Sequence, residues 1–333
     1  MRVLLLGADG FIGRRVTDRL LVDPELQVTV LGRRDSADIR FDLTTGSPGA
    51  LARFLDAVAP QVVINCAGAT YGSSRTLIRA NTLAVATVCE GIRRSREPAR
   101  LVHVGSAAEY GPVPGGVPVS ESAEPRPVGP YGVSKLAGTE LVLASGLDAA
   151  VLRVFDVVGP GAPTASLFGR LAEGLRRALE RDESQVRMPD LSGYRDFVDV
   201  RDVARAIQAA AVSAATGVIN IGSGHAVRAR EAAQLLVRAS GFEGTVLEEN
   251  RQVVLPAQAG GPVEHVPGHV PAHHLPGHRP GEPRPGEGRV AVGEPVPWRQ
   301  ADVRTARDRL GWRTQVPLEE SLGDVWLETA CRV

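Results

Sequence analysis

A chain of 333 residues, 43% of them hydrophobic, is long enough for one large core with a smaller one attached. Its 38 basic side chains are balanced by 38 acidic ones, so no global field points to nucleic acid or an anionic membrane as a partner. Three scattered cysteines, Cys66, Cys89 and Cys331, argue against a disulfide framework and a zinc cluster; with no secretory-type leader and no apolar run of membrane-spanning length, a cytoplasmic location is expected.

In chain order, Val3-Leu4-Leu5-Leu6 is a continuous apolar run, expected of a central parallel strand buried on both faces. Gly7-Ala8-Asp9-Gly10-Phe11-Ile12-Gly13 follows at once, and Phe11, Ile12, Val16 and Leu20 then recur at helical spacing. The glycines therefore fall where a strand ends and a helix begins, where backbone N–H groups and the helix dipole attract a pyrophosphate. Gly7, Gly10 and Gly13, with Phe11 and Ile12 opening the helix, are the expected dinucleotide turn. The second strand, 27–31, runs into Gly32-Arg33-Arg34, with no carboxylate before Asp35. An acidic residue there would hold the ribose 2′-hydroxyl of NAD, whereas Arg33 and Arg34 suit a 2′-phosphate; NADP is expected, with NAD as the alternative.

Residues 61–66, 101–104, 150–154 and 217–221 read as further strands, with helical stretches such as 77–94, 133–145 and 202–214 between them. This alternation predicts an α/β fold, a Rossmann-type doubly wound parallel sheet with its ligand beyond the carboxyl ends of the strands. Ser106 lies just past the strand at 101–104. Tyr131 and Lys135 stand four apart at the start of a helix that follows Gly129-Pro130, and so share one face. A nearby ammonium is expected to lower a phenol from its usual value of about 10, as a proton donor near neutrality requires. Ser106 is placed to donate to the same substrate oxygen. The three form the expected catalytic set for redox chemistry on a carbonyl or alcohol.

With these motifs in order, the chain resembles an extended short-chain dehydrogenase/reductase of the NAD(P)-dependent epimerase/dehydratase family, whose members mostly act on nucleotide-linked sugars. Phe41-Asp42-Leu43, Ala67-Gly68, Asn81, 106–111, 153–160, 195–203, 220–224 and Leu310-Gly311-Trp312 match as well. The resemblance implies Ser106, Tyr131 and Lys135 as the catalytic triad, with Tyr131 and Lys135 also at the cofactor and Lys135 on the nicotinamide ribose. It further implies Asp42 and Leu43 at the adenine, Ala67, Gly68 and Asn81 along the cofactor, Arg195 at the substrate phosphates, and a homodimer formed through helices corresponding to 77–94 and 133–145.

The departures are as informative. Similar sugar 4,6-dehydratases carry an Asp-Glu pair, or the Glu, directly after the catalytic hydroxyl, and 3,5-epimerase/reductases use a cysteine there; Ala107 and Ala108 occupy those places, and a methyl group transfers no proton. Ketone reduction and 4-epimerisation remain. Arg33 and Arg34 suit the NADPH that a reductase consumes, and the stretches 105–111 and 194–202 resemble those of nucleotide-4-keto-6-deoxyhexose reductases, so NADPH-dependent reduction of such a ketosugar is expected. The alternatives are an NAD-dependent 4-epimerase, a ketoreductase for a non-sugar natural product, and an NADP(H)-binding regulator without turnover. Asp156 replaces the family's asparagine after the fifth strand. Its carboxylate would repel a substrate phosphate unless an arginine offsets it, or else it only caps a turn.

Between 255 and 297 lie ten of the 24 prolines and five of the seven histidines. This density excludes helix and sheet interior, and an exposed, mobile insertion is expected, with no metal site. Arg279, Arg284 and Arg299 are all candidates for a substrate arginine. Residues 1–155 and 197–222 are expected to form the nucleotide domain, and 156–196 and 223–333 a smaller substrate domain.

Overall fold

In a computed structural model, residues 1–248 and 297–332 are described, together with the backbone of 251–255. The strand β1 (Arg2–Leu6) buries Val3, Leu4, Leu5 and Leu6 completely, because it has a parallel neighbour on each side and helices over both faces. It is followed by α1 (Phe11–Leu21), β2 (Gln27–Gly32), β3 (Ile39–Arg40), α2 (Pro48–Val58) and β4 (Val62–Asn65). Next come α3 (Ser74–Ile78), a π-helical turn over Arg79–Leu83, α4 (Ala84–Arg94), β5 (Arg100–Ser106), α5 (Gly129–Leu143) and β6 (Ala149–Val154). After these lie β7 (Asp156–Val158), α6 (Leu167–Glu180), β8 (Gln185–Met188), β9 (Tyr194–Asp199), α7 (Val200–Val212) and β10 (Gly217–Ile221). The chain continues through β11 (Ala226–Arg228), α8 (Ala229–Ser240), β12 (Thr245–Glu248), β13 (Arg251–Leu255), α9 (Arg304–Leu310) and α10 (Leu318–Ala330).

Seven strands form one sheet in the order β10-β6-β5-β4-β1-β2-β3, parallel throughout. Strand order reverses between β1 and β4, so a crevice opens beyond their carboxyl ends. The glycine turn after β1 and Ala67-Gly68 after β4 flank it. On one face Val16, Leu20, Val203 and Ile207 from α1 and α7 pack against Val3, Leu5 and Ile64. On the other, Leu51, Leu55, Val88 and Ile92 from α2 and α4 cover Leu4, Leu6 and Val63.

Two small sheets, β11-β9-β7 and β13-β12-β8, lie outside this one. Leu171, Leu175, Leu236, Leu322 and Val325, from α6, α8 and α10, make a separate core there. β9 pairs with β7 and β11, and its Val198 packs into the core of the large sheet. Ala306 and Trp312 pack into the same core. The Pro/His-rich tract from 256 to 296, with Arg279 and Arg284, lies outside the described residues. At Pro297 the chain runs along β9: the Tyr194 N–H donates to the Pro297 carbonyl at 2.8 Å and the Arg299 N–H to the Tyr194 carbonyl at 3.0 Å.

Candidate active site

The turn after β1 packs too closely for side chains. Gly7 has φ +81°, and a Cβ on it would stand 2.6 Å from the Ala67 nitrogen; one on Gly13 would stand 2.0 Å from the Gly7 carbonyl oxygen. Gly10 begins α1 with no side-chain cap, and Gly10, Phe11 and Ile12 line a cleft of about 520 Å³. A helix start left to its backbone N–H groups at the mouth of a crevice fits a dinucleotide pyrophosphate.

The same cleft takes Ala67 and Gly68 from the loop after β4, Asn81 from the π-helical turn, Ser106 from β5, Tyr131 and Lys135 from α5, and Asp156, Arg195 and Arg299 from the other side. Residues at 106, 131 and 195, distant in sequence, thus face one volume. Gly132 permits the approach of α5, since a Cβ there would stand 2.6 Å from the Ala108 carbonyl oxygen. The Ser106 hydroxyl accepts from the Ala108 N–H at 3.2 Å and lines the same cleft as the Tyr131 side chain. Burial pushes the Tyr131 phenol above its usual value; the Ser106 side chain opposes this, and Glu109, Asp156 and Tyr71 add to it. Lys135 is buried, its ammonium donates to the Val104 carbonyl at 2.6 Å, and burial lowers its own pKa against the opposing influence of Glu109 and Cys66. Cys66 also lines the cleft, but burial pushes its thiol up to about 12, with Lys135 opposing, so it is no base.

Asn81 is 1% exposed and its amide is committed within the protein. Its Oδ1 accepts from the Ala69 N–H at 2.8 Å, while its Nδ2 donates to the Ala69 carbonyl at 2.8 Å and to the Ser134 hydroxyl at 3.0 Å. It ties the loop after β4 to the helix carrying Tyr131 and Lys135. Arg33, Arg34, Asp42 and Leu43 stand away from the cleft lining. Arg34 Nε lies 3.8 Å from Asp9 Oδ2, and the Ser36 hydroxyl donates to Asp9 Oδ1 at 3.3 Å. Asp42 accepts from the Thr44 N–H and hydroxyl at 2.8 and 2.7 Å. Burial raises its pKa, yet those bonds and the charges of Arg33 and Arg79 bring it below the usual value.

Asp156 is held by two arginines: Arg195 Nη1 is 3.2 Å from its Oδ1 and Arg299 Nη1 is 3.5 Å from its Oδ2. The repulsion expected at this carboxylate is offset, and of the three candidate arginines Arg299 is the one among the described residues. Pattern reading passed over Glu109 and Arg153, which form an ion pair at 2.7 Å with side chains 0% and 3% exposed. The available signal was a lone arginine in the apolar strand 149–154, which requires a buried partner. Among the described residues no cluster of His, Cys, Asp and Glu is set to hold a metal, and no helix is long and apolar enough to cross a membrane.

A glycine turn at a switch point, with a serine, a tyrosine and a lysine converging on one cleft, defines a dinucleotide-binding α/β site. The family model for the NAD dependent epimerase/dehydratase family matches residues 3–222, and the chain belongs to that family. A dTDP-6-deoxy-L-talose 4-dehydrogenase (NAD(P)(+)) from Kitasatospora kifunensis is 34% identical over 338 residues, covering 98% of this chain and 94% of the relative. A UDP-glucose 4-epimerase from Azospirillum brasilense is 29% identical over 273 residues, covering 72% of this chain and 78% of its own length. The fold is shared with RMD from Pseudomonas aeruginosa, solved complexed with NADPH (TM-score 0.76, 21% identity, 99% of both chains). It is also that of MoeE5 in complex with UDP-glucose and NAD (TM-score 0.73, 28% identity, 99% of this chain and 98% of the other).

Proposed function

We propose that this chain reduces the 4-keto group of a nucleotide-linked 6-deoxysugar with NADPH. The observation that carries the reading is the single proton-transfer pair in the cleft. Ser106 and Tyr131 line one cleft, Ala107 and Ala108 beside them bear only methyl groups, and burial favours the protonated form of the Tyr131 phenol. Bound NADPH supplies the hydride. Tyr131 protonates the forming alkoxide, Ser106 steadies the same oxygen by donating to it, and Lys135 orients the cofactor ribose. Arg195 and Arg299, aligned by Asp156, meet the substrate diphosphate.

The substrate class is supported by the 4-dehydrogenase relative of Kitasatospora kifunensis, which spans almost the whole chain. Residues 1–155 and 197–222 would hold the cofactor, with Gly7, Gly10, Phe11, Ile12, Gly13, Ala67 and Gly68 along it, Arg33 and Arg34 near the 2′-phosphate, and Asp42 and Leu43 toward the adenine. The second and third sheets would cover the substrate. Ile78, Leu83, Val133, Leu141 and Leu143 are exposed apolar residues on α3, the π-helical turn and α5, and they support a homodimer through these helices. Free thiols and a reducing cofactor suit the cytoplasm.

The test is NADPH consumption with nucleotide-linked 4-keto-6-deoxysugars. Tyr131→Phe should lower kcat by roughly 10²–10⁴-fold while NADPH still binds; no turnover in the wild type, or an active Tyr131→Phe, overturns the reading. A second reading, an NAD-dependent 4-epimerase, is favoured by Asp9, whose carboxylate faces Arg34 and Ser36 and suits a ribose hydroxyl better than a phosphate. Stoichiometric NAD(H) released from the purified protein would decide for it.

A further inference from the structure

Glu109 is fully buried beside the reacting hydroxyls, and the chemistry proposed above gives it no task. Its Oε1 accepts the Ser106 backbone N–H at 2.7 Å and its Oε2 accepts Arg153 Nε at 2.7 Å. Gly105 makes room for this carboxylate, since a Cβ there would lie 2.9 Å from Glu109 Oε1. The Arg153 guanidinium lies over the Tyr110 ring, 4.6 Å from its centroid, and the Tyr110 hydroxyl donates to Asn220 Oδ1 at 2.8 Å. The backbone of Ser106 is thereby anchored through one carboxylate to β6 and, by way of Tyr110, to β10. A buried ion pair is a poor way to gain stability, because desolvating two charges cancels most of their attraction and apolar replacements do as well or better. Its place directly behind a catalytic hydroxyl calls for another explanation.

We infer that Glu109 is a positioning residue for proton transfer: braced by Arg153, it holds the Ser106 hydroxyl against the Tyr131 phenol and sets a fixed negative charge beside that proton donor. The inference rests on the reading of Tyr131 as the acid, but its physical content is independent of the substrate. The groups facing the phenol are Ser106 and Glu109 from the end of β5, Asp156 from β7 with Arg195 and Arg299 beyond it, Tyr71 from the loop after β4, and Lys135 on the same helix. Among them Glu109 is a carboxylate wholly out of solvent, where its field is least screened. A negative charge so placed disfavours phenolate and keeps the tyrosine an acid. The same charge favours the ammonium form of Lys135, which burial opposes.

The test is an alkaline stopped-flow titration of phenolate absorbance in the full chain. Subtracting Tyr131→Phe isolates one of four tyrosines. Glu109→Gln keeps an acceptor and loses the charge: Tyr131 should titrate at lower pH, with kcat for a nucleotide-linked 4-ketosugar down roughly tenfold to a hundredfold and KM for NADPH unchanged. Glu109→Asp keeps the charge and loses reach, so the titration should stay in place while kcat falls. If the single variants do not fold, Glu109→Leu with Arg153→Met removes the pair without stranding a charge; the Ser106 N–H loses its acceptor, and kcat should fall tenfold or more with KM for NADPH unchanged. A Tyr131 titration unmoved in Glu109→Gln overturns the inference, as does a kcat unchanged in Glu109→Gln or in the double variant. The titration needs no substrate, so an inactive wild type would sink the ketoreductase reading while leaving this result to stand or fall separately.

Discussion

Arg195 and Asp156 form an ion pair at 3.2 Å across the lip of the cleft, linking β9 to β7, with the arginine side chain still 41% exposed. The carboxylate holds the guanidinium through Nη1, and Arg195 lines the cleft. This geometry suits an anion on the substrate rather than a repelled one. Arg195→Met should therefore raise KM for a nucleotide-linked ketosugar about tenfold or more, since a hydrogen bond to a charged group contributes roughly 1.5–3 kcal/mol. NADPH affinity, followed by fluorescence, should be unchanged. Equal loss of both would place Arg195 at the cofactor.

The pH profile follows from Tyr131. Its phenol lies above the ordinary value of 10, because burial outweighs the opposing influence of the Ser106 side chain. Reduction needs the protonated form, which predominates below the pKa and is lost as pH rises through it. The kcat for reduction should thus show no loss attributable to Tyr131 from neutral pH to about pH 9, and the reverse oxidation should accelerate with rising pH. A falling limb near neutrality in the reductive direction, absent from Tyr131→Phe, would contradict this.

Arg33 follows β2 at the place where a dinucleotide's adenosine ribose is read. Arg33→Ala should weaken NADPH binding roughly tenfold and leave NADH almost unaffected, measured by quenching or calorimetry. Equal loss for both cofactors would remove the 2′-phosphate argument and strengthen the NAD alternative that Asp9 supports.

Trp312 is 5% exposed in the core shared with Val3 and Ile64, and its indole N–H donates to the Asp202 carbonyl at 2.9 Å. Trp312→Ala should cost about 3–5 kcal/mol of folding stability, measured by chemical denaturation. A loss below about 1 kcal/mol would mean that the segment after α9 is not integral to the large sheet's core.

Several of these relationships could be read from the chain itself, and others could not. Apolar runs at β1 and β4, the glycine spacing after β1 and the Tyr131–Lys135 spacing are local properties, so the parallel sheet and the candidate dinucleotide turn were legible. The omission of acids at Ala107 and Ala108 was equally local, and it narrowed the chemistry before any contact was known. Side-chain partners joined over long stretches of chain were not. Asp156 reads as a repulsive carboxylate until β9 and the segment after Pro297 bring Arg195 and Arg299 to it. Lys135 reads as an ammonium four residues from Tyr131, and only the fold shows that it is buried and donates to the Val104 carbonyl. Glu109 reads as an unremarkable acid until Arg153, 44 residues away, meets it out of solvent. Sequence period fixes which face of an element is apolar and which chemistry it carries; desolvation and the pairing of distant charges, which set how those groups behave, exist only once the sheets have closed around them.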